Sequence, residues 1–140
     1  MASEPFADNS AEPLLADRNQ VLIVDDEEYV RSILSDVVSK MGLEPVEAAD
    51  GFEGIDTFTR QHDQIAACVV DLTMPGMSGM ELLEKLRAVN PEVSVIIVSG
   101  YARHEVKRQE ARNEQVCFLR KPFTMESFRD ALQDIIQQVN

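Results

Sequence analysis

The sequence predicts an α/β fold, a doubly wound (βα)5 domain with five parallel strands. Three observations carry this. Short apolar runs rich in β-branched residues recur along the chain, stretches with helical apolar spacing separate them, and acids, a serine and a lysine stand at or just past the ends of the runs. Runs that are apolar throughout are what strands covered on both faces require. Their alternation with helices makes the sheet parallel and its crossovers right-handed.

Residues 1–18, MASEPFADNSAEPLLADR, mix Pro, Ser, Asn and acids without a period and cannot offset their ordering entropy by burial. A flexible tail is expected there, with a single domain over 19–140. Residues 21–24 (VLIV) form the first strand. The helix after it has Val30, Ile33, Leu34, Val37, Val38 and Met41 as its apolar positions and stops at Gly42. Glu44 to Ala48 is a weaker strand, assigned to a sheet edge because Pro45 lacks a ladder donor. Phe52, Ile55 and Phe58 give the second helix its apolar side, and residues 65–70 (IAACVV) form the third strand.

Pro75-Gly76 reads as a turn, with Gly79 helping to begin a helix that presents Leu82, Leu83, Leu86 and Val89 and ends at Asn90-Pro91. Residues 93–98 (VSVIIV) form the fourth strand. The stretch 102–113 has helix-forming composition but little to bury beyond Val106, so this fourth helix is expected to be the least firmly packed. Residues 116–119 (VCFL) form the fifth strand. Phe128, Leu132, Ile135, Ile136 and Val139 mark the last helix, which Thr124 opens without the Glu or Gln partner of a full capping box.

A chain of 140 residues that is 44% hydrophobic can bury one core without staples. No apolar run approaches the roughly 18 to 20 residues that cross a bilayer, and MASEPFADNS lacks the basic and apolar regions of a signal peptide, so a soluble, cytoplasmic protein with no membrane partner is expected. The net charge of -12 argues against direct nucleic-acid binding. Cys68 and Cys117 lie in apolar runs without CxxC or Cys/His spacing and are expected to be buried free thiols.

In doubly wound sheets ligands bind beyond the carboxyl ends of the strands. At those ends stand Asp25 and Asp26 (first strand), Asp71 (third), Ser99 (fourth) and Lys121 (fifth). Carboxylates gathered this way repel by about 4 kcal/mol per pair at 4 Å and an effective dielectric near 20, and they need a cation. Oxygen ligands without His or Cys favour a hard divalent ion, Mg²⁺, over zinc. Lys121 offers a mobile charge and Ser99 a hydroxyl for phosphate oxygens, as a phosphoryl-transfer site requires. Glu27 and Glu28 read instead as acids favoured by the helix dipole, and His62 and His104 as solvated or partly packed helix residues. Arg103, Lys107, Arg108, Arg112 and Arg120 form a local basic cluster, open to reading as a solvated face or a signalling surface.

VLIVDDEE, VVDLTMPGMSGMELL, VIIVSGYA and FLRKPF fall at successive strand ends, and with them residues 20–140 resemble the receiver domain of response regulators in bacterial two-component and phosphorelay signalling. The resemblance implies a flavodoxin-like topology, with the five strands in the order 2-1-3-4-5, and an Asp71 that takes a phosphoryl group from phosphohistidine. It implies that Asp26, Asp71 and the backbone carbonyl of Thr73 bind Mg²⁺, with Asp25 acting through water. Lys121 would pair with Asp71, Ser99 and Phe118 would be the switch pair, and Thr73 and Tyr101 would tune the phosphoryl lifetime, Tyr101 by shielding. The Lys121-Pro122 bond is expected to be cis.

The implied partners are a histidine kinase or histidine phosphotransfer protein, docking near Tyr29, Val30 and Ile33, and a downstream protein that reads a repacked face of the fourth helix, fifth strand and fifth helix. A monomer or a weak phosphorylation-dependent dimer is expected, and no enzyme activity beyond self-catalysed phosphoryl transfer and dephosphorylation. The chain would be a stand-alone regulator or the receiver of a hybrid sensor histidine kinase. A dehalogenase-like phosphatase is disfavoured because Thr73 stands where a second Asp is wanted. A flavin carrier is disfavoured because the acids would repel a phosphate and no phosphate-cradling loop follows the first strand.

Overall fold

The computed structural model describes residues 18–100 and 115–139. Their elements are β1 (Gln20–Val24), α1 (Glu28–Lys40), β2 (Glu44–Ala48), α2 (Gly51–Gln61), a 3-10 turn (His62–Gln64), β3 (Ile65–Asp71), α3 (Gly79–Val89), β4 (Val95–Ser99), β5 (Val116–Arg120) and α4 (Met125–Val139). The strands form one parallel sheet in the order β2-β1-β3-β4-β5, as the sequence predicts, with Pro45 on the edge strand β2. The predicted tail up to residue 17 lies outside the described residues. So does the predicted fourth helix, with Tyr101, Arg103, His104, Lys107, Arg108 and Arg112.

Alternation along β1 divides the core in two. Leu22 and Val24 face one side with Val70, Phe58, Leu82 and Leu86, beneath α2 and α3. Val21 and Ile23 face the other with Val69, Leu34, Val38, Phe128, Leu132 and Ile135, beneath α1 and α4. Each fully buried aliphatic side chain contributes about 1.5–3 kcal/mol, so the two layers hold the central strands rigidly and fix where β1 and β3 end.

Four readings need correction. Strand β4 starts at Val95 rather than 93, because the N–H of Glu92 and that of Val93 still close a turn on the Asn90 side chain and carbonyl. Strand β5 is only partly covered: it is the far edge of the sheet, Cys117 and Leu119 on one face and Phe118 on the other are half-buried, and Cys117 is thus less buried than Cys68. Phe52 is 62% exposed, its ring over the Gly76 turn rather than in the core. His62 lies in the 3-10 turn just beyond α2, beside Asp63 and the Phe58 ring.

The helix starts are more fully capped than the sequence reading foresees. Ser78 and Glu81 form a complete capping box on α3, and the Asp50 carboxylate accepts from the Glu53 N–H on α2. Before α4, Thr124 and Ser127 exchange hydrogen bonds, so a serine hydroxyl takes the place of the missing Glu. Such caps are each worth about 1 kcal/mol.

Candidate functional site

Strands β1 and β3 are neighbours with Val24 opposite Val70, so the residues that follow, Asp25 and Asp71, emerge side by side. The carboxylates of Asp25, Asp26 and Asp71 each offer an oxygen within 4.8 Å of the others. Asp25 and Asp71 are buried and Asp26 is exposed, so the cluster is closed below and open above.

Asp25 is clamped by its surroundings. Its N–H donates to the Ala48 carbonyl at 3.2 Å, and its Oδ1 accepts from the Glu27 N–H at 2.9 Å. Asp71 Oδ1 accepts from the Thr73 N–H at 3.3 Å and lies 3.8 Å from Lys121 Nζ, an ion pair rather than a hydrogen bond. Each of these carboxylates keeps a second oxygen beyond those contacts.

Burial pushes the Asp71 carboxyl up to about 6, with the Asp25 charge adding to the rise and Lys121 opposing it. Burial likewise raises Asp25, opposed by the Glu27 N–H and Lys121. Two buried acids with oxygens within 4.8 Å of each other, of which only Asp71 has a side-chain ion pair among the described residues, with Lys121, are under-neutralised. An all-oxygen donor set of this charge fits a hard divalent ion, which would reverse both shifts when bound.

The remaining predicted residues arrive from the other two strand ends. Asp71 pairs in register with Val98, and Ser99, the next residue, is buried. The Lys121 N–H donates to the Ser99 carbonyl at 2.8 Å, which ties β5 to β4 where the lysine leaves the sheet. The Lys121-Pro122 bond is cis, as expected. Phe118 stands in β5 opposite Ile97, half-buried against the core layer under α2 and α3. Thr73 is exposed in the loop after Asp71, and Tyr101 lies outside the described residues. Tyr29 is 76% exposed at the start of α1, whereas Val30 and Ile33 are half-buried.

Two glycines shape the loop that follows Asp71. Gly76 turns it with φ +84, a conformation that costs other residues strain. Gly79 lets α3 approach the strand: a Cβ there would meet the Asp71 carbonyl oxygen at 2.6 Å and Leu72 Cα at 2.7 Å.

The sequence reading missed Arg31. Its Nη1 donates to the backbone carbonyl of Asp25 at 2.7 Å and its Nε to Glu47 Oε1 at 3.1 Å. No periodicity or motif marks this residue, because its partners come from a strand end and from β2.

The sequence matches the response regulator receiver domain family over residues 21–133. Sporulation initiation phosphotransferase F of Bacillus subtilis is 28% identical over 114 residues, covering 81% of this chain and 90% of that protein. The sensor kinase CckA of Brucella abortus is 30% identical over 118 residues, covering 84% of this chain and 12% of that protein. The chain thus spans most of one relative and a small part of another. Among solved structures, a response regulator receiver domain protein from Clostridium thermocellum matches with a TM-score of 0.78 at 27% identity, covering 85% of this chain and 94% of that one. The receiver domain of the hybrid histidine kinase CckA matches with a TM-score of 0.72 at 30% identity, covering 84% of this chain and 99% of that one. With the predicted fold, the acid cluster and the lysine at one sheet edge, and a family match over most of its length, the chain belongs to the response regulator receiver domain family.

Proposed function

We propose that this chain is a phosphoacceptor switch of a two-component phosphorelay, in which Asp71 takes a phosphoryl group from a phosphohistidine donor with the help of Mg²⁺. One observation carries the reading: the buried Asp71 carboxylate lies within ligand distance of Asp25 and Asp26 and 3.8 Å from the Lys121 ammonium. A carboxylate oxygen of Asp71 forms the new P–O bond as the P–N bond to the donor imidazole breaks, and the imidazole nitrogen keeps the electron pair and takes up a proton. Asp26, Asp71 and the Thr73 carbonyl would hold the Mg²⁺, and Asp25 would hold one of its waters. The ion supplies charge neutralisation for the incoming phosphoryl oxygens.

Lys121 then moves its charge from Asp71 to the phosphoryl group, Ser99 donates its hydroxyl to it, and Phe118 repacks behind Ser99. A downstream protein reads the change on the face that includes β5 and α4, and the donor, a histidine kinase or histidine phosphotransfer protein, docks beside exposed Tyr29. The chemistry is self-catalysed on one carboxylate, without turnover of a separate substrate, and acts in the cytoplasm on a monomer or weak dimer. The likeness to the CckA receiver favours a second setting, the receiver of a hybrid histidine kinase, with the same site chemistry. Consistent with either, no described helix is long and apolar enough to cross a membrane.

The test is incubation with acetyl phosphate and Mg²⁺, read by intact mass and by Phos-tag mobility. The wild type is expected to acquire the label only with Mg²⁺, and failure to do so overturns the reading. Asp26→Asn is expected to lower Mg²⁺ affinity and labelling together, each by at least about tenfold. Loss of one without the other would separate the metal from the chemistry.

A further inference from the structure

We infer that Arg31 is a positioning residue for the metal site: it fixes the peptide plane between Asp25 and Asp26, and so sets the angle at which the two acids face a cation. The inference rests on the proposed Mg²⁺ site and adds to it a residue that touches neither metal nor phosphate.

The Asp25 carbonyl stands where the sheet gives way to helix. As β1 ends, the Asp25 N–H is still held by β2 through Ala48, but the chain is already turning into α1. A main-chain carbonyl at such a point needs a donor, since an unpaired buried carbonyl is costly. Arg31 supplies it from the first turns of α1, at 2.7 Å. The Asp25 C=O and the Asp26 N–H belong to one rigid plane. Holding the oxygen therefore orients the start of Asp26 as well.

The guanidinium is itself held. Nε donates to Glu47 Oε1 at 3.1 Å, and Glu47 Oε2 accepts from Ser35 Oγ at 2.7 Å, so two residues of α1 grip one carboxylate of β2. The Arg31 side chain is 14% exposed against 39% for Glu47, which makes the arginine the sheltered member of the pair. Its planar fork holds two acceptors at once in a fixed geometry that the compact, rotating head of a lysine does not impose. Edge strand β2 thus grips Asp25 twice, directly through Ala48 and indirectly through Glu47 and Arg31. The arginine directs these donors to a backbone oxygen and to Glu47, not to the site carboxylates, which remain available to a cation.

The experiment is Mg²⁺ titration of the whole chain by calorimetry at 25 °C, with labelling by acetyl phosphate followed against Mg²⁺ concentration. Arg31→Met is expected to weaken Mg²⁺ binding about tenfold, the scale of second-layer partners of metal ligands. It should raise the Mg²⁺ concentration for half-maximal labelling by the same factor and leave the rate at saturating Mg²⁺ within about twofold. Arg31→Lys, which keeps one donor for the carbonyl, is expected to stay within about threefold of wild type. Glu47→Ala, which frees the guanidinium without removing it, is expected to weaken Mg²⁺ by about threefold and serves should Arg31→Met fail to fold. A purely structural role would lower the melting temperature and leave the Mg²⁺ midpoint in place. Unchanged Mg²⁺ affinity in Arg31→Met, or in Glu47→Ala if the first is unfolded, overturns the inference. Wild type that binds no Mg²⁺ overturns the proposed function instead.

Discussion

Asp71→Asn is expected to stabilise the metal-free protein at neutral pH by about 2–3 kcal/mol while abolishing phosphoryl acceptance. The stability gain follows from the raised carboxyl of Asp71, pushed up to about 6 by burial and by the Asp25 charge. The ordinary carboxyl value is near 3.8, so between the two the folded protein holds more protons than the unfolded chain. The stabilising contribution of the protonated acid is complete below about pH 4 and is lost as pH rises through about 6. Above that the carboxylate is charged, buried and crowded, and it works against the fold.

Asparagine keeps the shape and removes the charge. In chelator at pH 7.5 the variant should melt about 5–10 °C above wild type, a gap that closes toward pH 4. Saturating Mg²⁺ should stabilise wild type far more than the variant, because only wild type retains the full set of carboxylates. Equal or lower stability of Asp71→Asn in chelator at pH 7.5 would contradict the electrostatic picture of the site. Labelling of the variant by acetyl phosphate would contradict the assignment of the acceptor.

Gly79→Ala carries the second large effect, and its sign opposes simple propensity. Glycine at a helix position normally costs about 0.5–1 kcal/mol against alanine, so the exchange is ordinarily a gain. Here the new methyl would stand 2.6 Å from the Asp71 carbonyl oxygen and 2.7 Å from Leu72 Cα, both backbone atoms with no rotamer to move. The N–H of Gly79 also donates to the Leu72 carbonyl at 2.9 Å, so α3 cannot back away without losing that bond. A net loss of about 3 kcal/mol is expected by chemical denaturation, at the upper end for overpacking. Because the displaced atoms belong to Asp71 and its neighbour, Mg²⁺ affinity should fall as well. Gly100→Ala, with no atom of the described residues within 4 Å of the added Cβ, is the control and should change stability by less than about 0.5 kcal/mol. A neutral Gly79→Ala would mean that the approach of α3 to β3 is looser than the geometry indicates.

The fold was legible because its signals are local. Buried parallel strands appear as unbroken aliphatic runs, and the helices between them keep their period, so the order of elements and the strand ends that carry Asp25, Asp71, Ser99 and Lys121 could be read directly. The site followed from topology, which brings those ends to one edge. What could not be read depends on partners distant in sequence. Arg31 finds its acceptors in the Asp25 carbonyl and in Glu47 of β2. The part exposure of Cys117 follows from β5 being an edge strand, a place the expected order 2-1-3-4-5 already gives it but the apolar run VCFL, read by itself, does not. Ser78 and Glu81 were within reach as a Ser-x-x-Glu pattern, but the Pro75-Gly76 turn drew the reading of that loop.

The adjacency of β1 and β3 also bears on how the chain folds. Residues 25 and 71 meet only after the whole β1-α1-β2-α2 segment has been laid down and β3 has inserted beside β1, a pairing of high sequence separation that is slow to form. The acid cluster therefore does not exist in a chain that has folded only as far as α2. Its repulsion is met late, once the hydrophobic layers on both sides of the sheet can restrain it. During synthesis the three acids would come together no earlier than the third strand, so a bound cation would act on a β1–β3 pairing already formed rather than template it.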